Sequence, residues 1–180
     1  MTERAIYLSP WRIDVTIRDG VDPVIRISRL ARAMAAALDA AGAPSPGSIG
    51  LILADDAELA ELNRAHLGGD GPTDVLSFPL LPAGSFPASS SPGAGADAVP
   101  AFATPPGRRL HLGDVVVSVE RAAEQAAAGR GGQTGDVHWS VADELRLLVT
   151  HGTLHVCGYD HAEPAEETAM RDLERRLLAG

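Results

Sequence analysis

The spacing of apolar residues changes between two periods along the chain. Residues 13–17, Ile-Asp-Val-Thr-Ile, alternate apolar and polar side chains, which is typical of a half-buried strand. Short apolar runs predict further strands at residues 48–53, 75–78 and 114–117. Helical spacing predicts helices at residues 24–41, 55–67, 119–128 and 140–157, and Pro164 favours the start of a last one. Because strands and helices are interleaved, the sequence predicts an α+β fold.

The length of 180 residues suits one domain with a hydrophobic core and is short for two. Residues 82–109 are rich in Pro, Gly, Ala and Ser and contain little to bury. We expect a flexible surface insertion there, within a single domain spanning residues 1–180.

The composition limits the classes of function that the chain can have. No apolar run approaches the roughly 18 residues that a membrane helix needs. Cys157 is the only cysteine, so no internal disulfide is possible, and we expect a reducing, cytoplasmic location. The net charge of −9 argues against a protein that coats nucleic acid by neutralising phosphates. We therefore expect neither DNA nor a membrane among the partners.

Three of the six histidines lie in one stretch, His151-Gly-Thr-Leu-His155-Val-Cys-Gly-Tyr-Asp-His161. Residues four apart on a helix share a face, so His151 and His155 can point at one ion. Gly158 can adopt a positive φ, which ends the helix and lets the returning chain bring His161 to that ion. Three imidazoles with one open position are typical of a catalytic zinc site, where a metal-bound water becomes acidic enough to react near neutral pH.

The spacing matches the zincin pattern H-E-x-x-H-x-x-G-x-x-H except at one position. Gly152 replaces the glutamate that serves as general base, which disfavours a peptidase mechanism. Two other carboxylates are candidates for that proton transfer. Glu144 lies two turns before His151, roughly 10 Å along the helix axis, with a surface or capping role as the alternative. Asp160 lies close in sequence to the third histidine, where it could instead orient a ligand imidazole.

The histidine stretch, with Asp-Glu-Leu-Arg-Leu-Leu before it at residues 143–148, closely resembles the signature of the YbeY family. Leu62-Asn63 followed by residues 70–79 is similar to the central motif of that family, and residues 112–118 are similar to its strand and helix-start motif. The resemblance covers nearly the whole chain. Family members are bacterial single-domain metalloproteins described as endoribonucleases that mature ribosomal RNA, notably the end of the small-subunit RNA.

The resemblance implies an α+β domain in which a small mixed sheet and helices surround a buried metal-binding helix, as in zincins. It implies one zinc ion per chain, with His151, His155 and His161 as ligands. The implied partners are ribosomal RNA and the ribosome or its assembly proteins, and the implied role is rRNA maturation and ribosome quality control.

One position departs from the family pattern. The family commonly has an arginine in the central motif that handles RNA phosphate, and Leu67 stands at the matching position. Arg64, one turn earlier, is a candidate for that role, with an exposed, solvated arginine as the alternative. Arg108 and Arg109, at the end of the insertion, are candidates for phosphate contact.

Three further residues are candidates for contact with a substrate. Asp74 and Ser77 flank or lie on the predicted strand at 75–78, beside the expected cleft. His111 precedes the strand at 114–117 and is a candidate to line the same cleft.

Three functions remain open from the sequence. The first is a metal-dependent endoribonuclease, in which either a metal-activated water or the RNA 2′-hydroxyl attacks the phosphate. The second is a metallopeptidase, favoured by the histidine spacing and opposed by Gly152. The third is a non-catalytic ribosome-assembly factor in which zinc only braces the fold.

Overall fold

A computed structural model of the chain describes residues 1–82, 85–86, 108–129, 139–161 and 163–179. The residues it describes form a five-stranded sheet and five helices. The strands are β1 (Thr2–Leu8), β2 (Trp11–Ile17), β3 (Gly47–Ala54), β4 (Val75–Pro79) and β5 (Leu110–Ser118). The helices are α1 (Ile27–Ala40), α2 (Asp56–Leu67), α3 (Val119–Ala127), α4 (Val141–Val156) and α5 (Pro164–Leu178).

The sheet is mixed, with strand order β1-β2-β3-β5-β4. Strands β2, β3 and β5 are parallel, whereas β1 and β4 run antiparallel to their neighbours and form the two edges. In the β4–β5 pair, Ser77 lies opposite Val115 and Pro79 opposite Gly113. Helix α4 packs on β4 and β5. The edge strand β4 therefore runs beside the helix that carries the histidines.

Period-two alternation divides the strand residues between two apolar clusters. The larger cluster lies between the sheet and helices α1 and α4, and its fully buried members include Ile13, Leu51, Val115, Met34 and Leu145. The smaller cluster joins α2 to the opposite face through Leu59, Leu76 and Val116. Helix α5 packs on α4 and α1.

Helix α4 begins with a complete capping box. The Ser140 hydroxyl accepts from the Asp143 amide, and the Asp143 carboxylate accepts from the Ser140 amide. Near the middle of the helix, Gly152 lies directly on the sheet, where an added Cβ would come within 2.6 Å of Val115 Cγ1. The Ser77 hydroxyl donates to the Gly152 carbonyl at 3.0 Å. Small size at Gly152 thus allows helix and sheet to approach closely.

The predicted α+β fold with a small mixed sheet is confirmed, and nine of the ten elements match predicted ones within a few residues. The predicted start of α1 was three residues early, because Val24 has φ 56° and its amide donates to Asp22 rather than joining a helix. Strand β1 was missed. None of the helices in the described parts of the chain combines the length and apolar character needed to cross a membrane.

Most of the predicted insertion at 82–109 lies outside the described residues. Phe86, one of the insertion residues that the structure does describe, is fully buried in the larger apolar cluster. The sequence prediction that this segment has little to bury is wrong at that position. A single aromatic ring contributes more buried area than several of the surrounding alanines and glycines together.

Candidate metal centre

The C-terminal end of α4 is shaped by Gly158, which has φ 80° and follows the C-cap residue Cys157. The Gly158 amide donates to the His155 carbonyl at 3.0 Å, and the Tyr159 amide donates to the Leu154 carbonyl at 3.1 Å. These two bonds form a Schellman motif, which requires a left-handed residue after the helix. The chain therefore turns back at Gly158 and returns along the helix end.

The turn brings the third histidine to the first two. Ring centroids are separated by 4.5 Å for His151 and His155, 5.0 Å for His155 and His161, and 5.9 Å for His151 and His161. One donor nitrogen from each ring lies within 4.8 Å of the other two. The rings at 151 and 155 are half-buried, and the ring at 161 is exposed. This cluster could hold a metal ion.

Two of the rings are oriented by partners on their outer nitrogens. His151 Nδ1 lies 2.7 Å from Glu174 Oε1, and the Glu174 side chain is buried on α5. His155 Nδ1 donates to the Tyr159 carbonyl at 2.9 Å. Since a carbonyl and a carboxylate accept hydrogen bonds, each neutral ring carries its proton on Nδ1. The Nε2 lone pairs of both rings are then free to bind a cation.

The inner nitrogens are placed to bind a cation and not to form a hydrogen bond with each other. His151 Nε2 and His155 Nε2 lie 3.0 Å apart. With both protons on Nδ1, neither nitrogen can donate to the other, so two lone pairs face each other across this gap. Ligand nitrogens of a tetrahedral zinc site, with bonds of about 2.0–2.1 Å, are separated by about 3.3 Å. The donor set and spacing therefore fit a zinc-type ion.

Burial affects the protonation of the central ring. Burial, together with repulsion from the neighbouring His151 and His161 rings, lowers the pKa of His155 to about 4. His155 is therefore neutral near pH 7, the form that binds metals. Burial also raises the pKa of the Cys157 thiol to about 12, so this cysteine is a protonated core residue.

Asp160 acts on the backbone beside the cluster. Its Oδ1 accepts from the His161 amide at 2.7 Å. This bond holds the backbone that carries the His161 side chain. The structure thus gives Asp160 a contact that orients the returning chain.

Two cavities meet at the histidines. An open groove of about 820 Å³ follows β4 from Thr73 to Pro79 and is closed on its other side by His151, His155 and residues 158–161. A smaller cavity of about 380 Å³ lies on the other side of the cluster, lined in part by Leu147, Leu148 and Met170. His151, His161, Asp74 and Val75 line both.

The predicted substrate residues on β4 are brought to these cavities. Asp74 lines both, and its Oδ2 accepts from Gln125 Nε2 at 2.9 Å while Oδ1 accepts from the Val75 amide at 2.8 Å. Ser77 lines the groove, but its hydroxyl proton is used by the Gly152 carbonyl. Asp74 is therefore the better placed of the two to contact a bound molecule.

Glu144 lines the smaller cavity and is 3% exposed. Its Oε2 and the nearby Trp139 Nε1 have no hydrogen-bond partner among the described residues. Burial raises the pKa of Glu144, the Trp139 indole N–H opposes the shift, and the negative charge of Asp74 adds to it. Glu144 is thus a buried carboxyl near the Trp139 indole N–H, and it lines the same cavity as His151 and His161.

Other predicted residues lie elsewhere. Arg64 is exposed on α2 and lines neither cavity, whereas Leu67 lines the groove. Arg109 donates to the Pro10 carbonyl in the turn between β1 and β2, and Arg108 is exposed. His111 is held in the sheet between Ser48 Oγ and Asp114 Oδ1, each at 3.2 Å. The structure does not bring these four residues to the histidines.

Sequence reasoning missed two residues of the site. Glu174 contacts His151, and Gln125 holds Asp74. A signal for Glu174 existed, because it lies at helical spacing among Met170, Leu173 and Leu177 and so occupies a buried face of α5. Nothing in the spacing of α3 distinguishes Gln125.

Comparison with known proteins covers most of the chain. The family model described as Endoribonuclease YbeY matches residues 20–180. A Salinispora tropica protein named Endoribonuclease YbeY is 45% identical over 144 residues, which are 79% of this chain and 80% of that protein. A Thermobifida fusca protein of the same name is 40% identical over 171 residues, covering 93% of this chain and 92% of the relative.

A solved structure agrees with the fold. The solution structure of a Thermotoga maritima protein is similar with a TM-score of 0.53, and the similarity covers 93% of this chain and 86% of the other. The two sequences are 22% identical, so this likeness concerns the fold alone.

Proposed function

The chain belongs to the Endoribonuclease YbeY family, and on that premise we propose that it is a zinc-dependent endoribonuclease that cuts single-stranded ribosomal RNA during ribosome maturation and quality control. The observation that carries the proposal is the three-histidine cluster, where an open groove and a smaller cavity meet. Ribosomal RNA and ribosome or assembly proteins are the proposed partners, in the cytoplasm.

His151, His155 and His161 are the proposed ligands of one zinc ion. Such an ion, when bound, polarises a phosphate oxygen and makes a water more acidic. Glu174 and the Tyr159 carbonyl hold the rings at 151 and 155 with Nε2 directed inward. Asp160 fixes the backbone that carries the third ring.

The groove is suited to a single extended strand. It follows an edge strand of the sheet and is open to solvent along β4. The chain has a net charge of −9. Among the described residues that line the two cavities the only arginine is Arg171, which is paired with Glu167 at 2.5 Å. We therefore expect the scissile phosphate to bind at the histidine cluster, where a bound ion would supply the positive charge.

The packing of Gly152 argues against a peptidase. A Cβ there would lie 2.6 Å from Val115 Cγ1 and 3.0 Å from Val75 Cγ2, both on strands of the sheet. The general base of the zincin pattern has no room at this position, so the zincin peptidase mechanism is not available to α4.

The described elements support a single domain with an insertion at 82–109. Strands β4 and β5 are antiparallel neighbours, so the chain leaves and re-enters the same sheet between adjacent strands. We infer that the insertion extends one hairpin connection and does not separate two domains.

The test uses the purified full chain loaded with zinc, a precursor fragment of small-subunit rRNA, a DNA of the same sequence and a denatured protein. We expect cutting of the RNA alone, loss of cutting with a chelator, and recovery on adding zinc. His151→Ala, checked for folding by circular dichroism, should abolish cutting. Asp172→Asn, an exposed change on α5, should leave cutting intact.

Three results would overturn the proposal. Cleavage of the protein substrate but not of RNA would support the metallopeptidase. Full cutting by folded His151→Ala would show that the cluster is not the active site. Absence of cutting by the zinc-loaded chain, together with ribosome maturation in cells that carry the His151→Ala chain, would favour the non-catalytic assembly factor.

A further inference from the structure

The smaller cavity has features that the proposed cutting of a phosphodiester does not require. It has a volume of about 380 Å³, within the usual range for sites that hold small ligands or single bases. Its apolar walls come from β4, α4 and α5, namely Val75, Leu147, Leu148 and Met170. Apolar side chains of this kind can pack on the faces of a planar ring. The rest of the lining is polar, namely Asp74, Gln125, Glu144, His151, His161, Glu167, Arg171 and Glu174, so the cavity combines apolar contact surface with hydrogen-bonding groups.

One of the polar lining groups is buried and has an unpartnered oxygen. Glu144 is 97% buried, and its Oε2 has no hydrogen-bond partner among the described residues. Leaving a buried carboxyl unsatisfied is costly, so it is found where a ligand can complete it. Burial raises the pKa of Glu144, the Trp139 indole N–H opposes the shift, and the charge of Asp74 adds to it. In its protonated form Glu144 is a hydrogen-bond donor.

Asp74 supplies the complementary group. Its carboxylate is held by the Gln125 side chain and the Val75 amide, at 2.9 and 2.8 Å, so its orientation is fixed before any ligand binds. Both oxygens keep spare lone pairs, because an ionised carboxylate can accept about four hydrogen bonds. The cavity edge thus offers one donor, at Glu144, and one acceptor, at Asp74.

The distance to the histidines matches the length of a nucleotide. Glu144 is seven residues before His151 on α4, roughly 10 Å along the helix axis. A nucleotide whose phosphate lies at the cluster can place the hydrogen-bonding edge of its base about that far away. Since His151 and His161 themselves line the cavity, no wall separates the two positions.

We propose that this cavity is a nucleobase subsite that receives the base next to the cut phosphate and selects adenine or cytosine over uracil and guanine, with Asp74 and Glu144 as the residues that read it. This inference rests on the proposed function. Adenine and cytosine each present an amino group beside an unprotonated ring nitrogen. The amino group donates to Asp74, and the ring nitrogen accepts from Glu144. Uracil and guanine carry a ring N–H instead, which would meet the Glu144 donor.

The first experiment measures binding without cutting. The full chain, loaded with zinc, is titrated with adenosine, cytidine or uridine monophosphate, which contain no phosphodiester bond to cut, and binding is followed by calorimetry. We expect adenosine and cytidine monophosphates to bind about fivefold or more tightly than uridine monophosphate, the lower end of what one pair of hydrogen bonds to a base edge provides. Glu144→Gln keeps an N–H donor and should keep the preference. Glu144→Leu should lose it.

Controls separate base reading from folding. Glu61→Gln changes an exposed carboxylate on α2 and should leave the preference unchanged. Thermal unfolding of Glu144→Leu should show a folded chain, so that loss of preference reports the donor alone. The second experiment gives the zinc-loaded chain a randomised RNA and sequences the new ends, where adenine or cytosine should be enriched beside the cut.

Each outcome bears on the inference separately from the proposed function. RNA cutting with no base preference in binding or at the cut ends overturns the subsite and leaves the endoribonuclease standing. Loss of preference in Glu144→Gln as well as in Glu144→Leu, with Mn²⁺ binding that both changes remove, overturns it in favour of a cation site. Absence of both nucleotide binding and RNA cutting means that the proposed function itself has failed.

Discussion

Helix α4 carries polar side chains in both halves, and the two halves differ in how those groups are satisfied. In the C-terminal half, the outer nitrogens of His151 and His155 have partners, and only the inward nitrogens await a cation. In the N-terminal half, Glu144 is more deeply buried and has no partner for Oε2. The first arrangement is organised before its ligand arrives, because each ring is already oriented. In the second arrangement, the buried Oε2 without a hydrogen bond is energetically costly until a ligand supplies one.

The difference between the two halves predicts that changes at the histidines affect zinc binding, whereas changes at Glu144 do not. The largest expected effect is on zinc affinity in His155→Ala. Loss of an outer hydrogen-bond partner of a ligand typically weakens metal binding about 10- to 100-fold. Loss of one of the three ligands should weaken zinc binding by more than that. Competition with a chromophoric chelator measures the affinity. Unchanged zinc affinity in folded His155→Ala would remove the histidine half of the comparison.

Glu174→Gln tests the partner from α5. The charge that strengthens the Nδ1 hydrogen bond is lost while the shape is kept, so we expect zinc affinity to fall by about tenfold, the low end of the range for outer-shell partners. Asp172→Asn, on the same helix and exposed, is the matched control and should bind zinc normally. Equal affinities for the two variants would mean that His151 needs no orienting carboxylate.

Gly158→Ala tests the turn that delivers His161. At φ 80° an alanine costs about 1–2 kcal/mol, and we expect the free energy of unfolding to fall by that amount. Gly129→Ala is a matched control, because Gly129 has φ 71° and open space around it. Both variants should lose stability in urea, but only Gly158→Ala should also bind zinc more weakly. If both variants kept full zinc affinity, the turn would not control the third ligand.

The smallest effect concerns Glu144. Its pKa is raised in the folded chain, so the folded state holds a proton that the unfolded state releases as pH rises above the ordinary glutamate value of about 4.3. Glu144→Leu should therefore be more stable than the parent by about 1 kcal/mol at pH 8. The gain should shrink as pH falls to about 4, where the carboxyl is protonated in both states. Denaturant titrations at the two pH values measure this gain in the free energy of unfolding. A gain that is constant with pH would contradict a raised pKa at Glu144.

Most of α4 and its histidines could be predicted from the sequence, because capping residues, helical spacing and a glycine after the helix are local signals. The Ser140 cap, the end at Gly158 and the convergence of three histidines all follow from neighbours within a few positions. Strand β1 could not be recognised, because most of its side chains are exposed and its apolar residues have no clear period. Its strand conformation depends on pairing with β2.

The contacts of the site that join distant segments were beyond prediction. Gln125 meets Asp74 across 51 positions, and Glu174 meets His151 across 23. Such contacts are set by how α3 and α5 dock, which no local pattern specifies. The same reason explains the arginines: Arg109 has the charge that suits phosphate, but the fold directs its side chain to Pro10. Residue type alone did not show where these side chains point.

The close seat of Gly152 on the sheet limits how this fold can change its chemistry in evolution. A glutamate at that position would complete the peptidase pattern with a single codon change, yet it would force α4 away from β4 and β5. Overpacking of this kind typically costs 1–3 kcal/mol or more. Room would first have to be made by shortening Val75 and Val115, and those intermediates would carry a cavity without any new activity. RNA cleavage and the zincin peptidase mechanism therefore differ by one residue in sequence, but the variants between them would fold poorly.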